Sequence, residues 1–262
     1  MISVTSVQLS SWLALFIYPF VRILALVASA PILGNRQIPA RIKVGLSLLL
    51  TFIVAPLAPM QPGIDVASAE GLFVLLQQVL AGLAMGFTMR LIFTAVEMCG
   101  DIAGMQMGLG FATFYDPQHA SYTPLVAQFL GIIAALAFLG LNGHLVIVSA
   151  LCESFQIFPI SSAQPSAVGF HTLAVWGGSI FKYALQLSMP LIGVLLITNM
   201  ALGILARSAP QLNIFAIGFP VTLAVGFVAL ALSLPYLSPL LEHLTYSSLD
   251  TALSIVRQLG LR

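Results

Sequence analysis

Five ionisable side chains, Arg22, Arg90, Glu97, Asp101 and Lys182, sit within or at the ends of long apolar stretches. A charge is expensive there and is usually paired, turned into a bundle interior or set in a watery cavity. Glu97 and Asp101 are four residues apart and share a helix face, and Arg90 lies seven residues before Glu97 on the same stripe. Such groups could build a proton or ion relay, or could pair structurally and snorkel from helix ends. The remaining candidates offer less. His119, His144, His171 and His243 are scattered, with no HExxH pair and no carboxylate at ligand spacing. No serine stands in a GxSxG elbow, and no glycine-rich loop leads into Lys-Ser/Thr to cradle a phosphate. Cys99 and Cys152 lack metal-ligand or disulfide spacing and read as packing residues. No catalytic residue, metal or cofactor is expected, and the chain does not read as an enzyme.

The elements that must position these groups belong in a membrane. Of 262 residues, 60% are hydrophobic and 6% charged, against roughly 25% charged in soluble domains. The net charge of +1 provides no basic field for a nucleic acid. Six stretches approach the ~20 apolar residues that a bilayer-crossing helix needs: Trp12–Leu33, Ile42–Leu57, Leu72–Val96, Leu125–Leu151, Leu173–Ala206 and Leu212–Leu237. The fifth is longer than needed, and a break is expected near Met189-Pro190, because a helix-interior proline removes a backbone donor. The expected fold class is an all-α membrane protein of about six kinked or broken helices in hairpins. It is read as a single domain over residues 1–262, without internal repeats. The N-terminal stretch does not fit a removable signal peptide, since Met1–Ser11 carries no Lys or Arg. Arg36, Arg41 and Lys43 mark the Gly34–Lys43 linker as an inside loop. From Leu240 onward, Leu241, Leu244, Ala252, Ile255, Val256 and Leu259 gather near one face, predicting an amphipathic helix over 239–262.

The most unusual segment is 99–124, apolar yet rich in glycine, methionine and phenylalanine, and closing in a polar turn. Gly104, Gly108 and Gly110 loosen the backbone, Met105 and Met107 are adaptable thioethers, and Phe111 and Phe114 are bulky. It is a poor continuous helix and could form a deformable seal or a re-entrant packing loop. Irregular backbone at membrane depth survives only when buried in protein or lining a cavity.

Along nearly its whole length the chain resembles the FliR family of the flagellar type III protein export gate. The match runs from Arg22, Ala30-Pro31-Ile32-Leu33, Ile38-Pro39 and Arg41–Leu46, through Gly82 to Gly86-Phe87 and Gly104–Gly108, to Phe111-Ala112 and Asp116-Pro117. It continues through Asn142-Gly143-His144 to Ala209–Phe215 and Ile217-Gly218-Phe219-Pro220. The order and spacing of these motifs together make the match specific, and the Ile-Gly-Phe-Pro ending favours the flagellar branch over the injectisome export proteins. The resemblance implies a channel subunit at the bacterial inner membrane, within the flagellar basal body. It implies assembly with FliP and FliQ, with FlhB and FlhA nearby, the basal-body ring around it, membrane lipid in contact, and unfolded flagellar proteins as cargo. It also implies that Met105, Gln106, Met107, Gly108, Leu109, Gly110, Phe111, Phe114, Asp116 and Pro117 belong to a pore plug. In this family the hairpins are held largely above the membrane plane by partner subunits.

The competing readings are an injectisome homologue and a small secondary transporter built on the intramembrane charges, although the paired repeats usual in such carriers are missing. Joint substitution of Glu97→Gln and Asp101→Asn separates the transporter from the gate. Swimming-zone diameter in a complemented flagellated host should stay near wild type for an export gate, whereas a carrier would lose coupling.

Overall fold

The computed structural model describes residues 6–59, 61, 64–111, 124–211 and 213–260. Among these residues the chain folds into α-helices with no β-strand. In chain order they are α1 (Ser6–Ser29), α2 (Ala40–Val54), α3 (Ala69–Gln106), α4 (Leu125–Gly140), α5 (Gly143–Ile157), α6 (Ala167–Ser208) and α7 (Ile214–Gly260). Five, namely α1, α2, α3, α6 and α7, are long and apolar enough to cross a membrane, α2 together with the short 3-10 turn that follows it. The α4–α5 pair makes a sixth if taken as one broken span. The protein is an all-α membrane protein.

Four boundaries differ from those expected. The Leu125–Leu151 stretch is interrupted at Leu141-Asn142, where Asn142 takes the left-handed conformation (φ 56°) and its carbonyl accepts the N–H groups of Leu145 and Val146 to start α5. Asparagine tolerates that backbone better than most residues. In contrast, α6 does not break at Met189-Pro190 but runs through Pro190. Ala184, Ser188, Leu191 and Leu195 form one buried stripe across the proline, so packing on both sides holds the helix together and the proline costs a hydrogen bond, not the element. Residues 239–260, expected as a separate helix, are the last part of α7, which continues through Pro220, Pro235 and Pro239. Finally, α3 carries the helix through Gln106, seven residues into the stretch Gly100–Pro124 that reads poorly as a helix.

The chain divides into two compact units, one of Met1–Leu91, Leu141–Gly178 and Leu244–Arg262, the other of Ile92–Gly140 and Ser179–His243. In the first unit Tyr18 donates to the Gly71 carbonyl, Arg22 meets Gln78, and the Ser29 region meets Gly86, so α1 and α3 run in the same direction. The two backbones approach at Gly82 and Gly86. A Cβ on Gly82 would lie 2.2 Å from the Arg22 carbonyl oxygen, and one on Gly86 2.1 Å from Ser29 Oγ. This is the close approach that a small-xxx-small pair permits. The α1–α2 connection is pulled tight in the same way, with Lys43 Nζ donating to the Gly34 carbonyl at 3.0 Å. Arg36 and Arg41 stay exposed.

At the centre of this unit lies Arg22, fully buried. Its Nε donates to Gln78 Oε1 on α3 at 2.8 Å, Nη1 to the Ser154 carbonyl on α5 at 3.0 Å and to Ser154 Oγ at 3.3 Å, and Nη2 to the Phe158 carbonyl at 2.8 Å. The guanidinium also lies over the Phe155 ring, 4.2 Å from its centroid. A planar fork of fixed donors suits this three-helix junction, which the single ammonium of a lysine would not match. The C-terminal part of α7 completes the unit: Leu244, Ala252, Ile255, Val256 and Leu259 are buried, and Ser166 N donates to the Leu259 carbonyl.

Replacing Arg22 with Leu removes the donors from Gln78 Oε1 and the Phe158 carbonyl, at a cost of about 1–3 kcal/mol for each buried acceptor left unsatisfied. The detergent-solubilised variant should unfold at a clearly lower temperature in a thermal melt, with Arg22→Lys recovering only part of the loss.

Candidate functional site

The second unit contains the C-terminal end of α3 and the start of α4, the two roots of the glycine- and methionine-rich segment. The roots touch. A Cβ added to Gly100 would sit 2.5 Å from the Ala127 Cα and 2.6 Å from its nitrogen, so α3 and α4 meet backbone to backbone there. One turn on, Gly104 faces Val126 at an ordinary 3.7 Å. Phe93 and Phe138 pack edge to face with centroids 5.4 Å apart, and the side chain of Glu97 runs along Gly131, 3.4 Å from where a Cβ would lie. The two helices of this hairpin are therefore packed together at the roots of the segment between them.

Beyond Gln106 the helix is closed by Gly108, whose φ of 83° is open to glycine at little cost, and Gly108 N donates to the Met105 carbonyl. A short 3-10 turn follows at Leu109–Phe111. The two methionines point different ways: Met105 is 58% exposed, whereas Met107 is 1% exposed. Met107 packs against α7, its Cγ, Cε and Sδ lying 2.5–2.8 Å from the place a Cβ on Gly226 would occupy. Its carbonyl accepts a hydrogen bond from Thr222 Oγ1 at 3.3 Å. Next to this contact is an apolar cavity of about 390 Å³ lined by Leu109, Leu125, Val126 and Phe129 on the hairpin side and Phe227, Leu230, Ala231 and Leu234 on α7.

Of the plug residues named from the sequence, Met105, Gln106, Met107, Gly108, Leu109 and Gly110 fall together at the end of α3, with Gln106 exposed and Gly108 to Gly110 half-buried. The side chain of Phe111 and residues Phe114, Asp116 and Pro117 lie outside the described residues. The five charged candidates differ in burial. Arg22 is the buried junction of the first unit, while Arg90, Glu97 and Lys182 are exposed and Asp101 is half-buried. Among the described residues no three His, Cys, Asp or Glu side chains form a metal-binding cluster. Sequence reasoning missed Gly226 and Thr222. Both stand in α7 directly after the Ile217–Pro220 motif, and small residues four apart on an apolar helix were the available signal.

The described helices make this a polytopic all-α membrane protein, and comparison with known proteins sets it among bacterial export proteins. The profile of "Bacterial export proteins, family 1" matches residues 13–248. The chain is 44% identical over 260 residues to "Flagellar biosynthetic protein FliR" of Pectobacterium carotovorum subsp. carotovorum, covering 99% of each chain. It is 43% identical over 261 residues to the protein of that name from Escherichia coli (strain K12), covering 100% of each. The protein of that name from Bacillus subtilis (strain 168) is 27% identical over 248 residues, 94% of this chain and 95% of its own. The chain belongs to the FliR family and is a membrane component of the flagellar export apparatus.

The Gly100 contact makes a sharp test of this geometry. Gly100→Leu should abolish recovery of monodisperse protein by gel filtration, because the added side chain meets main chain and not a movable side chain, whereas Gly104→Ala should be recovered as wild type.

Proposed function

We propose that the chain is a core channel subunit of the flagellar type III export gate, and that it helps to form and seal the pore through which unfolded flagellar proteins pass at the bacterial inner membrane. The observation that carries this reading is the abrupt end of α3 at Met105–Gly110. There a helix pinned at Gly100 against α4 stops on a left-handed glycine and presents Met105 outward. A flexible thioether on a rigid root is suited to contacting passing chains of varied shape, because methionine repacks at low cost. At rest Met105, with Phe111 and Phe114 further along the segment, would exclude water and ions. An extended chain driven from elsewhere in the apparatus would displace them.

The long helices support assembly with other subunits. In the apolar windows of α6 and α7 only 11% and 17% of residues are buried within the chain. Exposed side chains such as Phe181, Ile197, Ile204, Phe227 and Leu232 need cover by protein or lipid. The partners proposed are FliP and FliQ in direct contact, FlhB and FlhA beside them, the basal-body ring around them, and membrane lipid.

Deletion of Gly108–Pro117 is the direct test. The variant should still co-purify with FliP and FliQ counterparts in mild detergent, while cells expressing the assembled gate should become permeable to small ions. An assembled deletion variant with wild-type ion permeability would refute the sealing role.

A further inference from the structure

The end of α3 is held by a contact that can be given up without stranding a polar hydroxyl. The terminal carbonyls of a helix have no partner within it, and the Met107 carbonyl lies just past the end of α3. Its partner comes from another helix, the Thr222 hydroxyl of α7 at 3.3 Å. That hydroxyl has one hydrogen and two other acceptors within reach, the Gly218 carbonyl at 3.1 Å and the Phe219 carbonyl at 3.0 Å, both on its own helix. If Met107 leaves, Thr222 turns back onto α7 and no buried hydroxyl is stranded. The side chain behaves in the same way. Met107 occupies a notch that exists only because residue 226 has no Cβ, and glycine makes no directional bond that must be broken on departure. The notch is specific to this residue, since Met105, two positions earlier, is exposed.

We infer that Thr222 and Gly226 are positioning residues: they form a releasable seat for Met107 that sets the resting position of Met105–Gly110. The inference rests on the sealing role proposed above. It assigns a task to the part of α7 just after Ile217-Gly218-Phe219-Pro220. The proline that ends the motif occupies the turn of α7 that leads into Thr222, and Phe219 and Gly218 are the residues whose carbonyls receive the hydroxyl on release.

Methionine oxidation reads the seat directly, because sulfoxide formation follows exposure of the sulfur. The gate, assembled with its FliP and FliQ counterparts, would be treated with dilute hydrogen peroxide and the oxidation of Met107 followed by peptide mass spectrometry. In Gly226→Ala, where the new Cβ takes the place of the Met107 side chain, Met107 should oxidise at least about tenfold faster than in wild type, as expected for a group moved from a closed to an open state. Thr222→Val, which keeps the shape and removes the hydroxyl, should shift the rate in the same direction, and Thr222→Ser should leave it unchanged. Both fast-oxidising variants should also leak ions. Unchanged Met107 oxidation in Gly226→Ala and Thr222→Val would overturn the seat. Accelerated oxidation without leakage, in a host where the Gly108–Pro117 deletion does leak, would overturn its link to sealing. If the deletion itself does not leak, the sealing role fails instead, and the oxidation rates still decide whether the seat exists.

Discussion

The register of the first unit depends on one buried guanidinium. Arg22 has no water to fall back on, so each of its donors must find an oxygen inside the protein, and those oxygens come from α3 and from the end of α5. A shift of α3 by one residue would turn Gln78 by about 100° and strand the Arg22 Nε–H. The same shift would take Gly82 and Gly86 away from the α1 backbone, which no residue with a Cβ could approach as closely. Polar satisfaction and steric fit thus select the same alignment. In sequence α3 continues beyond these contacts to Gln106, one residue past Met105.

Glycine serves two opposed purposes along this chain. At Gly82, Gly86 and Gly100 the missing Cβ lets main chain press on main chain, a contact of low flexibility because neither side can give. At Gly226 it receives the side chain of a methionine, which has three rotatable bonds and can move. The first kind of contact makes a frame, the second a seat. Their distribution separates the parts of the second unit that hold still, α3 against α4, from the part that can be displaced, the end of α3 on α7.

The exposed apolar area of α2, α6 and α7 is the other governing constraint. Ile42, Leu49, Phe52, Ile53 and Leu57 along α2 and its following turn, and the many exposed aliphatic residues of α6 and α7, leave much of the apolar surface of these helices without cover from their own chain. Hydrogen bonds within each helix already satisfy the backbone, so what remains is a demand for apolar neighbours. The helices also stay whole through Pro190, Pro220, Pro235 and Pro239, since breaking them would expose polar backbone.

Composition and hydropathy by themselves determined the class of fold, the membrane setting and the number of long apolar elements, because those follow from sums over residues that no tertiary contact can change. Motif order determined the family, and the face shared by Leu244, Ile255, Val256 and Leu259 marked which side of the tail packs inward. Tertiary structure alone decided the rest. It picked Arg22 from five similar charges as the buried one, kept α6 whole through Pro190, interrupted the fourth stretch at Asn142, and turned Met107 inward while leaving Met105 exposed. Each of these outcomes depends on what stands opposite a residue in space, a Gln78, a buried stripe, a left-handed turn or a Gly226. A linear pattern carries the residue's own preferences and is silent about the neighbour that satisfies them.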